Sequence, residues 1–200
     1  MEFVPGAQAI ELFGESRGTS PDIAEHLTTL YRYASMCMSV VEFGTSCGHS
    51  TSAFLLSGAK VDTYDLYRHE RISKLEAAAE EQGTCLDFHE GDVLEMGSEI
   101  PFADLFFIDT LHTYDQIKAE LNIFGYHAMK YLILQDTETF GLVPEPIPSR
   151  LIPVSIREPL GTPLGLWPAV AAFMRSTDVW RLNQHWANNN GLTIFERRGP

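Results

Sequence analysis

Apolar and polar positions along this 200-residue chain fall into a repeating order. Five short segments read as strands: Ser39 to Phe43, which is buried, then Lys60 to Asp65, Thr84 to His89, Asp104 to Asp109 and Lys130 to Asp136. Helical patterns lie between them, at about Ser50 to Leu56, at His69 to Gln82, rich in Ala and Glu, and from Thr113 to about His127. Thr113-x-x-Gln116 opens the last of these as a capping box. A single short turn follows the third strand. Upstream, residues 1 to 19 read as irregular, with Gly6, Gly14 and Gly18. Ser20-Pro21-Asp22 then predicts a helix start, with Ile23, Leu27, Leu30 and Tyr31 as its apolar stripe.

After the fifth strand the pattern breaks. Residues 137 to 163 hold six of the eleven prolines, which excludes a regular element. A stretch this long reads as a lid-like insertion, with a homodimer contact as its other reading. A helix over Leu166 to Arg175 follows. VWRLNQHW and GLTIFER then read as two strands of a hairpin joined by Ala187 to Gly191. Strands alternating with helices predict a parallel sheet covered on both faces. The expected fold is α/β, a Rossmann-like doubly wound seven-stranded sheet, mostly parallel, with an antiparallel C-terminal hairpin. It forms one domain over 1–200, in which 1–36 is an N-terminal cap segment and helix.

Composition narrows the partners. Net charge is −13, a field that repels phosphate backbones and argues against nucleic acid. The three cysteines, Cys37, Cys47 and Cys85, form no CxxC pair, which suits a reduced compartment. MEFVPGAQAI lacks the pattern of a signal peptide, and no apolar run reaches the length of a membrane span. A cytoplasmic protein acting on a small molecule, without membrane contact, is the expectation.

In open α/β sheets ligands bind beyond the carboxyl ends of the strands, so the strand tips are where chemistry is expected. The first tip is Glu42-Phe43-Gly44-Thr45-Ser46-Cys47-Gly48, a glycine loop running into a helix. The second is Asp65, 21 residues after Gly44 and placed to accept hydrogen bonds from ribose hydroxyls. Gly91-Asp92, Asp109 with His112, and Asp136-Thr137 follow at the other three. Glu42 has a plainer reading as a strand end that bonds loop amides, Asp92 as a helix N-cap, and His112 as part of a helix cap.

These residues carry a resemblance. Glu42-x-Gly44-x-Ser46-x-Gly48 resembles the cofactor loop of class I S-adenosylmethionine-dependent methyltransferases, with Ser46 in place of the middle glycine. VEFGTSCGHST, FIDTLHTYDQIKAEL and YLILQDTETFG, in that order, are similar to a bacterial subgroup of cephalosporin-hydroxylase-like and sugar or macrolide O-methyltransferases. The resemblance implies that Gly44, Ser46 and Gly48 lie against the methionine part of S-adenosylmethionine, with Glu42, Thr45 and Ser50 counted among the binding residues. It implies that Asp65 holds the ribose, that Asp92 contacts the adenine amine, and that Asp109 lies near the reacting methyl. In metal-dependent relatives the acids matching Asp109 and Asp136 bind Mg²⁺; Gln135 stands where those relatives have Glu or His. The acceptor hydroxyl would lose its proton either to His112 as general base or to Mg²⁺ acting as a Lewis acid.

Three rivals remain open at this point. Gly44-Thr45-Ser46-Cys47-Gly48 also fits a hydrolase nucleophile elbow, with Ser46 attacking and Asp109 or Asp136 with His185 completing the order; against it, an elbow usually follows a middle strand, and this strand is the first. An NAD-dependent oxidoreductase would need Gly-x-Gly-x-x-Gly, which is absent. A non-catalytic cofactor-binding scaffold would keep the loop and Asp65 without an acceptor pocket.

Overall fold

A computed structural model describes residues 3–146 and 164–199. In chain order its elements are α1 (Ala7–Thr19), α2 (Leu27–Ala34), β1 (Ser39–Phe43), α3 (His49–Leu56), β2 (Lys60–Asp65), α4 (Ile72–Glu81), β3 (Leu86–Glu90) and α5 (Val93–Met96). A short 3-10 turn, Gly97–Glu99, leads into β4 (Ala103–Ile108), α6 (Tyr114–Phe124) and β5 (Ala128–Gln135). After the proline-rich stretch come α7 (Leu166–Arg175), β6 (Trp180–Trp186) and β7 (Leu192–Arg197).

The seven strands make one sheet in the order β3-β2-β1-β4-β5-β7-β6. β1 pairs in parallel with β2 and β4, and β7 runs antiparallel to both β5 and β6. The strand order reverses between β1 and β4, so their tips flank the switch point. Successive strand residues face opposite layers, the period-two rule of a pleated sheet. Val40, Leu105, Phe107 and Ile133 pack against α1 to α4. Val41, Phe43, Phe106, Ile108, Leu132 and Leu134 pack against α6 and α7. Phe43 is fully buried, edge-on to Tyr64, Phe106 and Phe124. Each such side chain stabilises the fold by about 1.5–3 kcal/mol through removal from water.

Two expectations fail at the N-terminus. Residues 7 to 19 form α1, not an irregular segment. The helix is short of apolar residues because tertiary contacts hold it: Ala9, Leu12 and Ser16 are buried, while Gly14 and Gly18 face open space. Ser20 is the C-cap of α1, its N–H donating to the Ser16 carbonyl, and is not the N-cap of a following helix. Residues 21–26 turn, and α2 starts at Leu27 behind His26, whose Nε2 bonds the Asn188 carbonyl at 2.9 Å. Asn189 Nδ2 donates to the Pro21 carbonyl at 2.9 Å, so this turn lies against the β6–β7 loop.

The lid-like stretch read over 137–163 falls for the most part on 147–163, outside the described residues. Its two flanks are stitched together. Gly165, Leu166 and Trp167 donate their N–H groups to the carbonyls of Leu142, Phe140 and Gly141 at 3.1, 2.9 and 2.8 Å. Tyr114, at the start of α6, donates to the Leu164 carbonyl at 3.1 Å.

Candidate active site

The glycine loop is shaped by close approach. Gly44 has φ +86°, and a Cβ there would lie 1.9 Å from the Asp109 carbonyl oxygen. Only glycine lets the tip of β1 pass that of β4 at this distance. Backbone bonds fasten the tips together: Asp109 N–H to the Phe43 carbonyl, Gly44 N–H to Tyr64, and Gly91 N–H to Asp65, at 2.8–2.9 Å. Ser46 also adopts a left-handed conformation, φ +48°, as does Gly48, φ +74°. Ser46 therefore stands at a position that favours glycine, and its N–H donates to Asp65 Oδ2 at 2.7 Å.

An open cavity of about 240 Å³ lies over these tips, lined by Gly44, Asp65, Asp92 and Asp109 among others. Four sequence-predicted residues thus converge on it. Leu66 and Val93 add apolar walls, and Gln116 reaches it from α6. Asp65 accepts from Ser46 and, at 3.4 Å, from the Tyr67 N–H, so the same carboxylate that faces the cavity also folds the turn after β2. Asp92 caps α5 by accepting from the Leu94 N–H at 2.9 Å, the plainer of its two readings, while still bordering the cavity.

Glu42, Thr45 and Ser50 lie behind the loop and do not border the cavity. Glu42 is fully buried and accepts hydroxyl bonds from Ser50, Thr51 and Thr63. Thr45 extends the chain by bonding Thr63. This network ties β1 and β2 to α3 beneath the loop. Burial pushes the Glu42 carboxyl up to about 7 against the pull of the three hydroxyls. Arg71, which sequence reading missed, braces the loop from the other side. Its Nη1 donates to the Cys47 and Gly48 carbonyls at 3.1 Å, and its Nη2 to the Leu12 carbonyl and Ser16 Oγ.

Beside the cavity, β4 and β5 bring two carboxylates together. Ile108 and Leu134 are partners in parallel pairing, so Asp109 and Asp136 follow neighbouring strand ends. His112 Nε2 lies 3.2 Å from Asp109 Oδ1 and 3.4 Å from Asp136 Oδ2. Its Nδ1 lies 3.0 Å from Glu145 Oε2. The ring stacks on Phe140, with centroids 4.9 Å apart. Asp136 holds φ +59°, a strained conformation of the sort that collects at working sites. Three acids around one imidazole set its charge. Burial alone would lower the His112 pKa, but the hydrogen bonds to Asp109 and Glu145 and the charge of Asp136 outweigh it and raise the pKa to about 10. With no metal between them, the acids favour the protonated imidazole of His112, and an ion or other electrophile at Nε2 would displace that proton. Asp136 is pushed up to about 6, by burial first and by Asp109 second.

Glu145 had no readable signal among the prolines. Glu120 was missed too: it is fully buried on α6, accepts from Thr110 Oγ1 and Gln116 Nε2 at 2.7 Å, and is raised to about 7 by burial.

The residues present fit a divalent cation by donor type. One oxygen each of Asp109 and Asp136 and one His112 nitrogen lie within 4.8 Å of one another. The glycine cradle fits a cofactor that needs close backbone approach, since any side chain at Gly44 would fill it.

The nucleophile reading of Ser46 finds no support. β1 comes first in sequence yet sits centrally in the sheet, so strand position does not exclude an elbow. The missing base does: His185, on β6, is engaged by Thr193 of β7 and by Glu138 after β5, and the Ser46 hydroxyl has no histidine partner among the described residues. No helix of the described residues is long and apolar enough to cross a membrane.

No protein-family model and no curated protein matches the sequence. Solved structures do. The SAH-bound Podospora anserina methyltransferase PaMTH1 is 15% identical, with 97% of this chain and 89% of that one covered and a TM-score of 0.60. The O-methyltransferase TomG from Streptomyces achromogenes, involved in tomaymycin synthesis and solved with SAM, is 13% identical over 100% and 93%, at 0.63. An O-methyltransferase from Bacillus cereus in complex with SAH is 12% identical over 96% and 91%, at 0.61. At these identities what is shared is the architecture, and the chain has the seven-stranded, doubly wound fold of these methyltransferases.

Proposed function

We propose that the protein is an S-adenosylmethionine-dependent methyltransferase that O-methylates a small organic or sugar-like acceptor. The observation that carries this reading is the cavity at the switch point, where Gly44, Asp65, Asp92 and Asp109 converge in the pattern the resemblance implies. The fold shared with SAM- and SAH-bound methyltransferases supports it.

When bound, S-adenosylmethionine supplies a methyl already activated on sulfonium, so the protein's work is alignment and exclusion of water. The Gly44 backbone leaves room for the methionine part, and Asp65 accepts the ribose hydroxyls. Asp109 joins the cavity to the Asp136 side, where an acceptor hydroxyl would be aligned with the methyl. A divalent cation held by Asp109 and Asp136 would acidify that hydroxyl. Without that ion, Asp136, raised to about 6 by burial and Asp109, would be the chain's own carboxylate suited to take the proton near neutrality. Phe140 and the exposed Leu142 and Val143 provide an apolar acceptor side.

Titration calorimetry with S-adenosylmethionine and S-adenosylhomocysteine, followed by methyl transfer to a panel of hydroxylated acceptors, tests the proposal. Binding with transfer is the expected result. Absence of binding at millimolar cofactor would end it, and binding without transfer to any acceptor would leave a cofactor-binding scaffold.

A further inference from the structure

We infer that His112 is the third protein ligand of a divalent metal site completed by Asp109 and Asp136, and that this donor set selects a first-row transition ion over Mg²⁺. The inference deepens the reading of the same site given above, and its catalytic meaning rests on that reading.

The argument is geometric. His112 Nε2 points at the gap between the two carboxylates, 3.2 Å from Asp109 Oδ1 and 3.4 Å from Asp136 Oδ2. Ligands in neighbouring positions around an ion with bonds of about 2.1 Å lie roughly 3–3.5 Å apart. Both distances from His112 Nε2 have that spacing, and all three donor atoms lie within 4.8 Å of one another. The ring is also fixed in that pose. A metal-bound histidine usually donates its other ring N–H to a carboxylate. Here Nδ1 lies 3.0 Å from Glu145 Oε2, and the Glu145 N–H donates to the His112 carbonyl at 3.0 Å. Phe140 stacks flat on the ring, 10° from parallel, and blocks rotation.

A second observation comes from Gln135. It is 2% exposed, its Oε1 has no partner among the described residues, and its amide bonds the Asp136 carboxylate that faces His112. Its Nε2 is spent on Asp136 Oδ1 and on the Asp22 and Asn189 carbonyls. An unpartnered buried acceptor here is costly unless an ion's shell, or a water within it, completes it.

The metal class follows from the donors. Mg²⁺ demands near-octahedral geometry and favours oxygen donors, whereas imidazole suits Fe²⁺, Ni²⁺, Cu²⁺ and Zn²⁺, with affinity rising from Mn²⁺ to Cu²⁺ and falling again at Zn²⁺. Gln135 removes an acid from the site, and His112 supplies the missing ligand in a form that shifts selectivity away from Mg²⁺.

The test uses the full chain, stripped with chelator, titrated with Co²⁺, Mn²⁺ and Mg²⁺ and followed by calorimetry and Co²⁺ visible absorption. One equivalent of Co²⁺ should bind at least ~10-fold more tightly than Mg²⁺. Pulsed electron paramagnetic resonance of the Mn²⁺-loaded wild type should show coupling to an imidazole nitrogen. His112→Leu should abolish that coupling and weaken Co²⁺ binding by ~100-fold, and Glu145→Gln should weaken it ~10-fold. Wild type without nitrogen coupling, tighter Mg²⁺ than Co²⁺, or His112→Leu binding Co²⁺ like wild type would each overturn the inference; the first two need no variant to fold. S-adenosylhomocysteine titration of the same samples separates the two claims, because cofactor binding without a transition-ion site sinks only the metal inference.

Discussion

The carbonyl oxygen of Asp109 sits where the side chain of residue 44 would have to begin, 1.9 Å from an ideal Cβ on Gly44. One contact thus joins the glycine loop after β1 to the acid after β4. Gly44→Ala must move one strand tip or the other, and it also places a side chain at φ +86°. The left-handed conformation alone costs about 1–2 kcal/mol. We expect a lower Tm by calorimetry and at least a tenfold loss in S-adenosylhomocysteine affinity.

Ser46 tests the loop from the opposite direction. Its φ of +48° is native to glycine, so Ser46→Gly should keep stability within about 1 kcal/mol of wild type and retain cofactor binding. Ser46→Val, β-branched and hence worse in that conformation, should lose about 1–2 kcal/mol in denaturant unfolding. Retained methyl transfer by Ser46→Gly would be incompatible with a serine nucleophile.

Glu42 gives a pH signature. Its folded pKa, about 7, lies above the ordinary 4.5, so the folded protein holds a proton that the unfolded chain releases. That contribution is present at low pH and is lost as pH rises through about 7. Glu42→Gln, which stays neutral, should therefore gain relative to wild type between pH 5 and pH 8, by on the order of 3 kcal/mol. Urea unfolding of both proteins at the two pH values reads this difference; a difference independent of pH would show that Glu42 ionises freely.

His112 is raised to about 10 from an ordinary 6.5, so in metal-free protein its stabilisation is full below about 6.5 and is lost as pH climbs through about 10. Glu145→Gln keeps an acceptor but removes the negative charge beside the ring, and should move the imidazole titration measured by NMR toward lower pH. An unchanged titration would mean that the Glu145 contact does not form in solution.

The sheet was legible because strands alternate with helices at a regular spacing along the chain, and Ser39 to Phe43 and Lys60 to Asp65 match the structure residue for residue. α1 was not, because a helix held by Arg71 and by burial of Ala9, Leu12 and Ser16 needs little amphipathic pattern of its own. At the site, Asp65, Asp92 and Asp109 were readable as acids at strand tips. Glu42, Thr45 and Ser50 were readable as part of the motif, but their burial behind the loop depends on where α3 and β2 fall. Glu145 meets His112 across 33 residues of sequence, and Glu120 lies in an ordinary helical pattern, so neither leaves a local trace.

The hydrogen bonds that join Phe140, Gly141 and Leu142 to Gly165, Leu166 and Trp167 make a closed neck. Each doubling of the length of chain between two such fixed ends costs only about 0.6 kcal/mol in closure entropy. The neck therefore makes the fold tolerant of length changes in the connection between Glu145 and Leu164, while the Glu145–His112 contact marks where that tolerance begins.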